Sequence, residues 1–220
     1  MRVGIYGGTF DPVHRTHTTI ANRVRRALSL DRVLLMVSRL PPHKRRNGLA
    51  AQHHRHAMVA LETLEEPHLY ASDFELRRRG PSYTVLTMAL LRESYPRHRF
   101  CFIGGTDSLK DIHIWKDHDI LLRDNCCVFV QRVGARVETA DFPEIHLEEV
   151  TARSSTSPEI RPGHSFLLDV GADDLSSSQV RESLAGRGRL LSQQVSPKVL
   201  QYIRKYHLYE DNKRIADPGL

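Results

Sequence analysis

Residues 2–6 form a short apolar run that stops at Gly7-Gly8, and apolar side chains then return at helical spacing over residues 16–28, at Ile20, Val24, Ala27 and Leu28. This predicts a strand, a glycine turn and a helix. Residues 32–37 are almost wholly apolar, as in a strand buried on both faces of a parallel sheet. After a polar loop with Pro41, Pro42 and Gly48, a helix is predicted at about 51–64 with Ala57, Met58, Leu61 and Leu64 inward. A second is predicted at about 83–94, with Val85, Leu86, Ala89 and Leu90 on one stripe. Further strands are predicted at 99–103, ending in a turn at Gly104-Gly105, and at 126–131 and 166–170.

Strands alternating with helices imply parallel pairing through right-handed crossovers, hence a doubly wound α/β fold. Residues 132–165, with Ser154 to Ser157 and two prolines, read as a loop-rich insertion or mobile loop carrying one strand near 145–150. After 174 the chain turns helical. Ser176 and Gln179 fit a capping box, Val180 and Leu184 lie one turn apart, and Gly186 suits the helix end. Ser196-Pro197 opens a last helix through Tyr206 with Val199, Leu200 and Ile203 inward. The expectation is one domain over 1–210 with a small helical C-terminal part and a frayed tail at 211–220.

Composition narrows the partners. The chain has 220 residues, 40% of them hydrophobic and 26% charged, which excludes wholesale disorder and fibrous architectures. Its 32 basic and 26 acidic residues give a net charge of +6 and a pI near 9.4, favouring anionic partners from nucleic acid to nucleoside triphosphates. The runs Arg25-Arg26, Lys44-Arg45-Arg46 and Arg77-Arg78-Arg79 lack interleaved aromatics, so they read as solvated faces and no nucleic-acid partner is expected. No apolar run approaches the roughly 20 residues of a membrane span, and the N-terminus has no signal-peptide pattern, so no membrane partner and a cytoplasmic protein are expected. Three cysteines cannot make a disulfide framework; Cys101 and Cys127 read as core residues. His53, His54 and His56 diverge around a helix with no cysteine near, so they read as exposed histidines, and no metal site held by protein ligands is expected.

The densest chemical signal is Gly7-Gly8-Thr9-Phe10-Asp11-Pro12-Val13-His14-Arg15-Thr16-His17, at the carboxyl end of the first strand and the start of the first helix. In a doubly wound sheet that crevice binds ligands, and a helix N-terminus offers free N–H groups to a phosphate. His14 and His17, three apart on the first turn, face the same side and can both donate to one phosphate chain. Far downstream, Leu175-Ser176-Ser177-Ser178-Gln179-Val180-Arg181 places hydroxyls and a guanidinium on another helix start, again suited to an anion.

These two segments resemble the GGxFDPxHxGH and ISSTxIR motifs of the nucleotidyltransferase superfamily, with Thr16 standing where the family has glycine. The resemblance implies a Rossmann-like fold and transfer of a nucleotidyl group from a nucleoside triphosphate. Three further segments resemble its nicotinate mononucleotide adenylyltransferases: Pro41-Pro42-His43-Lys44, residues 73–84 ending Gly80-Pro81-Ser82-Tyr83-Thr84, and Gly104-Gly105-Thr106-Asp107-Ser108-Leu109 followed by Trp115. The reaction implied joins ATP and nicotinate mononucleotide to nicotinate adenine dinucleotide and pyrophosphate, with Mg²⁺ carried on the ATP.

Carried over residue by residue, the resemblance gives catalytic roles to His14, His17, Lys44 and Arg181. It gives ATP binding to Gly7, Gly8, Thr9, Phe10, His14, His17, Gly104, Asp107, Ser177, Ser178 and Arg181, and acceptor binding to Lys44, Ser82, Tyr83, Thr84, Asp107 and Trp115. Two alternatives stand beside it. One is an adenylyltransferase with a phosphopantetheine or flavin mononucleotide acceptor; the other is an NADP-dependent oxidoreductase, whose GxGxxG spacing the first turn does not have.

Overall fold

A computed structural model describes residues 1–40, 49–132, 137–151, 157–172, 175–187 and 194–209. Its centre is a seven-stranded sheet with every pair parallel. The strands are β1 (Arg2–Gly8), β2 (Arg32–Val37), β3 (Leu69–Ser72), β4 (Arg99–Gly105), β5 (Cys126–Arg132), β6 (Leu147–Thr151) and β7 (Ser165–Ala172), in spatial order β3-β2-β1-β4-β5-β7-β6. The order reverses between β1 and β4, so the switch-point crevice opens at their carboxyl ends. Gly7-Gly8 and Gly104-Gly105, predicted as turns, belong instead to the strand ends: Gly7 pairs with Met36, Gly8 with Val37, Gly104 with Phe129 and Gly105 with Val130. The main chain carries that ladder, and the absent side chains leave its mouth open.

Successive side chains of the central strands point into two separate cores. Cys101 and Ile103 of β4 and Cys126, Val128 and Val130 of β5 face one; Phe100, Phe102, Cys127 and Phe129 face the other. The first core is covered by α1 (Arg15–Ala27), α2 (Gln52–Thr63) and the C-terminal helix, the second by α3 (Thr84–Ser94) and a short helical stretch comprising α4 (Thr106–Lys110) and α5 (His118–Asp124). All three cysteines are buried and unbridged, Cys101 and Cys126 lie side by side with sulfurs 3.1 Å apart, and burial raises the pKa of the Cys101 and Cys127 thiols. No helix among the described residues is long and apolar enough to cross a membrane.

Two predicted helix faces are rotated. In α2 the buried stripe is Arg55, Met58, Val59 and Thr63, while Leu64, expected inward, is 67% exposed. In α3 it is Val85, Thr87, Met88 and Leu91, with Leu86 and Ala89 outside. Each true stripe includes a polar residue whose hydrogen bonds are made internally: Thr87 donates to Glu75 at 2.6 Å, and Arg55 to three main-chain carbonyls. Within 132–165 the structure places β6 as the edge strand beside β7. The C-terminal part has α6 (Ser177–Glu182), continued past Gly186 by a π-helical turn (Ser183–Arg187), and α7 (Pro197–Lys205), with Ser196 as its N-cap and Val199, Leu200 and Ile203 buried.

Candidate active site

Two cavities open at the carboxyl end of the sheet. The first, of about 390 Å³, is lined by Gly7 to Asp11, His14, Thr16, His17, Gly105, Asp107, Ser176 to Ser178 and Arg181, among others. The second, of about 380 Å³, is lined by Ser38, Glu75, Ser82 to Thr84, Phe102, Asp111, Trp115 and Lys116. Gly7, Gly8, Thr9, Asp107 and Ser108 line both, so the two adjoin across the ends of β1 and β4.

In the first cavity the first-helix motif and the late serine motif are bonded to each other. Ser177 Oγ donates to the Pro12 carbonyl at 2.9 Å; Arg181 donates through Nη1 to the Asp11 carbonyl at 2.5 Å and through Nη2 to Ser178 Oγ at 3.0 Å. The Ser176–Gln179 capping box predicted from sequence is present and fixes the start of α6. His14, the N-cap of α1, and His17 stand with ring centroids 3.7 Å apart. His17 Nδ1 accepts the His14 main-chain N–H at 3.2 Å, so in the neutral ring the proton sits on Nε2, leaving that nitrogen a donor. Phe10 lies beneath, buried, its ring edge-on to His17 at 5.0 Å and to Tyr6 at 5.7 Å. It thereby props the imidazole. Gly8 is where that packing leaves no room, since a Cβ there would lie 2.8 Å from the Phe10 ring.

The second cavity has a different character. Trp115 packs edge-on to Phe102 at 5.9 Å and leaves part of its surface to the cavity. Ser82 ties the rim together: its N–H donates to the Leu40 carbonyl at 3.1 Å and its Oγ accepts the Arg39 N–H at 2.9 Å, which sets Tyr83 and Thr84 as the N-cap and first residue of α3. The first N–H groups of that helix have no intrahelical carbonyl. Glu75, buried beside Ser82 and Thr87, has its pKa raised, chiefly by loss of solvent.

Of the residues proposed from sequence, Phe10, His14, His17, Ser177, Ser178 and Arg181 line the first cavity, Ser82, Tyr83, Thr84 and Trp115 the second, and Gly7, Gly8, Thr9 and Asp107 both. Gly104 lines neither; Gly105 does, while a Cβ on Gly104 would press on the Phe102 ring at 3.1 Å. Lys44 lies outside the described residues. Sequence reasoning passed over Arg55, which is 2% exposed and donates to the carbonyls of Thr9 at 2.7 Å and Ala50 at 3.0 Å, holding α2 against the glycine segment. Its signal was an arginine one helical turn before Met58 and Val59 of α2. Glu75 and Tyr209 were also passed over; each is defined by partners distant in sequence.

The chain belongs to the cytidylyltransferase-like family, whose profile matches residues 5–183. It is thus a nucleotidyltransferase by family, which sets aside the oxidoreductase alternative. More particularly, it is 36% identical over 221 residues to a protein of Syntrophotalea carbinolica described as "Probable nicotinate-nucleotide adenylyltransferase", covering 97% of this chain and 100% of that one. It is 35% identical over 209 residues to the protein so described from Thermus thermophilus, covering 95% and 100%. Among solved structures, the nicotinic acid mononucleotide adenylyltransferase of Plasmodium falciparum, complexed with NaAD, shares the fold at a TM-score of 0.76 and 20% identity, covering 96% of this chain and 98% of that one.

Proposed function

We propose that this chain transfers the adenylyl group of ATP to nicotinate mononucleotide, releasing pyrophosphate and forming nicotinate adenine dinucleotide. The observation that carries the reading is the pair of adjoining cavities, one walled by imidazole, hydroxyl and guanidinium donors, the other by aromatic rings and a helix start. The names of the relatives point to the same substrates. ATP occupies the first cavity, with His14, His17, Ser177, Ser178 and Arg181 on its phosphates. The acceptor occupies the second, its pyridine against Trp115, its carboxylate at the first N–H groups of α3 and its phosphate directed toward the shared wall. The family resemblance adds Lys44 as a further cation for the phosphates.

The acceptor phosphate oxygen attacks the α-phosphorus, the bond from that phosphorus to the bridging oxygen breaks, and pyrophosphate leaves. The attacking group is already ionised, so no general base is needed. Catalysis is orientation and neutralisation: alignment alone supplies about 7 to 11 kcal/mol in well-ordered cases, and the His17 Nε2–H adds a preorganised donor. The donors lining the first cavity suit phosphate oxygens, and its carboxylates are Asp11, which is buried and bonded within the protein, and Asp107 at the shared wall. Such a lining fits Mg²⁺ that arrives on ATP, held by phosphate oxygens and water, and neutralising part of the triphosphate charge. The test is pyrophosphate release from ATP and Mg²⁺ with nicotinate mononucleotide, nicotinamide mononucleotide, phosphopantetheine and flavin mononucleotide. Fastest release with nicotinate mononucleotide is expected; fastest release with phosphopantetheine or the flavin nucleotide overturns the reading.

A further inference from the structure

Asp11 sits under the nucleotide cavity at 2% exposure, and the mechanism above gives its carboxylate no part. Oδ1 accepts two hydrogen bonds, from the Ala50 N–H at 3.1 Å and the Tyr209 hydroxyl at 2.7 Å. Oδ2 is buried, accepts no hydrogen bond, and has Arg181 Nη1 3.7 Å away. A buried carboxylate oxygen without a donor is costly, and a guanidinium presented as a two-pronged fork is its strongest partner. Yet Arg181 gives its donors to the Asp11 carbonyl and to Ser178. Oδ1 is anchored by its two donors, and Oδ2 stays at ion-pair distance from Nη1 without a hydrogen bond.

That anchor comes from the far end of the chain. Tyr209 lies just beyond α7 and packs with Leu208 against the first core. Its φ is 65°, and Phe10, the neighbour of Asp11, has φ 50°. Non-glycine residues hold such left-handed backbone only where their surroundings impose it, and the hydrogen bond joins Tyr209 to Asp11, the residue next to Phe10. Burial and the adjacent Asp11 raise the pKa of the Tyr209 phenol, so it remains the donor throughout the range in which the enzyme is assayed.

We propose that Tyr209 is a positioning residue for ATP: its hydroxyl holds the Asp11 carboxylate at ion-pair distance from Arg181 but short of a hydrogen bond, so that the guanidinium stays aimed into the nucleotide cavity. This rests on the reading that the cavity takes ATP. Without the hydroxyl, the carboxylate rotates, takes both prongs of Arg181, and draws it off the phosphates.

The test is Tyr209→Phe, with folding verified by circular dichroism. ATP binding with Mg²⁺, measured by calorimetry without acceptor, is expected to weaken about tenfold, the scale of one hydrogen bond to a charged group. KM for ATP rises to match while KM for nicotinate mononucleotide stays within about twofold; a merely structural defect would lower the active fraction and leave the ATP dissociation constant of the folded protein unchanged. In an Asp11→Asn background, where the competing charge is gone, adding Tyr209→Phe should change ATP binding less than twofold. Should Asp11→Asn fail to fold, Arg181→Gln serves as the background, with the same expectation. Unchanged ATP affinity in Tyr209→Phe, or an equal loss in either background, overturns the proposal. Because calorimetry needs no acceptor, a wild-type protein that binds ATP but releases no pyrophosphate sinks the assigned reaction and leaves this test intact.

Discussion

Replacing Gly8 by alanine separates packing from conformation at the centre of the site. Gly8 has a φ outside the left-handed region, so alanine is compatible with its backbone and reduces unfolded-chain entropy, a gain of about 0.4 to 1 kcal/mol. Against this, the new Cβ would stand 2.8, 2.9 and 3.0 Å from three carbons of the Phe10 ring, which is buried and wedged between Tyr6 and His17. Overpacking of this kind costs about 1 to 3 kcal/mol, so the net effect is a destabilisation of up to about 2.6 kcal/mol. At about 2 to 4 °C per kcal/mol for a chain of this length, Tm should fall by up to about 10 °C. The ring can yield only by moving the imidazole it supports, and a misplacement of about 1 Å can cost up to 10²-fold in rate. Scanning calorimetry and steady-state pyrophosphate release read the two effects. Loss of activity should therefore exceed anything the Tm change explains at 25 °C, and adding Phe10→Leu should recover Tm without recovering kcat. An alanine variant with unchanged Tm and unchanged kcat would refute the account of Phe10 as the support of His17.

Three other outcomes are expected. His17→Ala should lower kcat about 10²-fold, the usual effect of losing one preorganised donor, with Tm little changed; an unaltered kcat for pyrophosphate release removes His17 from the mechanism. Thr16 is 7% exposed and lines the nucleotide cavity, so Thr16→Gly should leave kcat/KM for ATP equal or higher while costing up to about 1 kcal/mol of helix stability; a large loss of kcat/KM would show that the cavity has adapted to the threonine. Glu75 has its folded-state pKa raised by burial, so its contribution to stability is fully present below the unfolded carboxyl pKa and is lost as pH rises through the folded value. Glu75→Gln should therefore be more stable than wild type at pH 8, with the gap closing toward pH 4 in urea denaturation, and a gap independent of pH would contradict the burial argument.

Where the sequence was most legible, one physical pattern dominated. The central strands are apolar on both faces because both faces are covered, and β2 runs Arg32–Val37 as its apolar run does. Ser176, Gln179, Ser196 and Pro197 announced their helix starts because capping is local chemistry. The four-residue β3 was too short to stand out, and the α4 and α5 stretch follows a strand whose last two residues, Gly104 and Gly105, read as a turn. The faces of α2 and α3 were misplaced because Arg55 and Thr87 are buried by virtue of partners far along the chain, which periodicity cannot see. The candidate site followed the same division. Most motif residues line the two cavities, Gly104 and the undescribed Lys44 apart, whereas Arg55, Glu75 and Tyr209, whose importance lies in contacts 12 to 198 residues distant, were not proposed from sequence.

The placement of the cysteines has a practical corollary. Every sulfur in the chain's three thiols lies inside the double-layered interior, two of them with raised pKa, so the folded protein presents no native thiolate to solvent. A maleimide dye should leave it unlabelled until it unfolds, and a single cysteine introduced at an exposed position such as Glu93 would then take up fluorophore alone. The wild-type background is already suited to spectroscopic reporting of nucleotide binding.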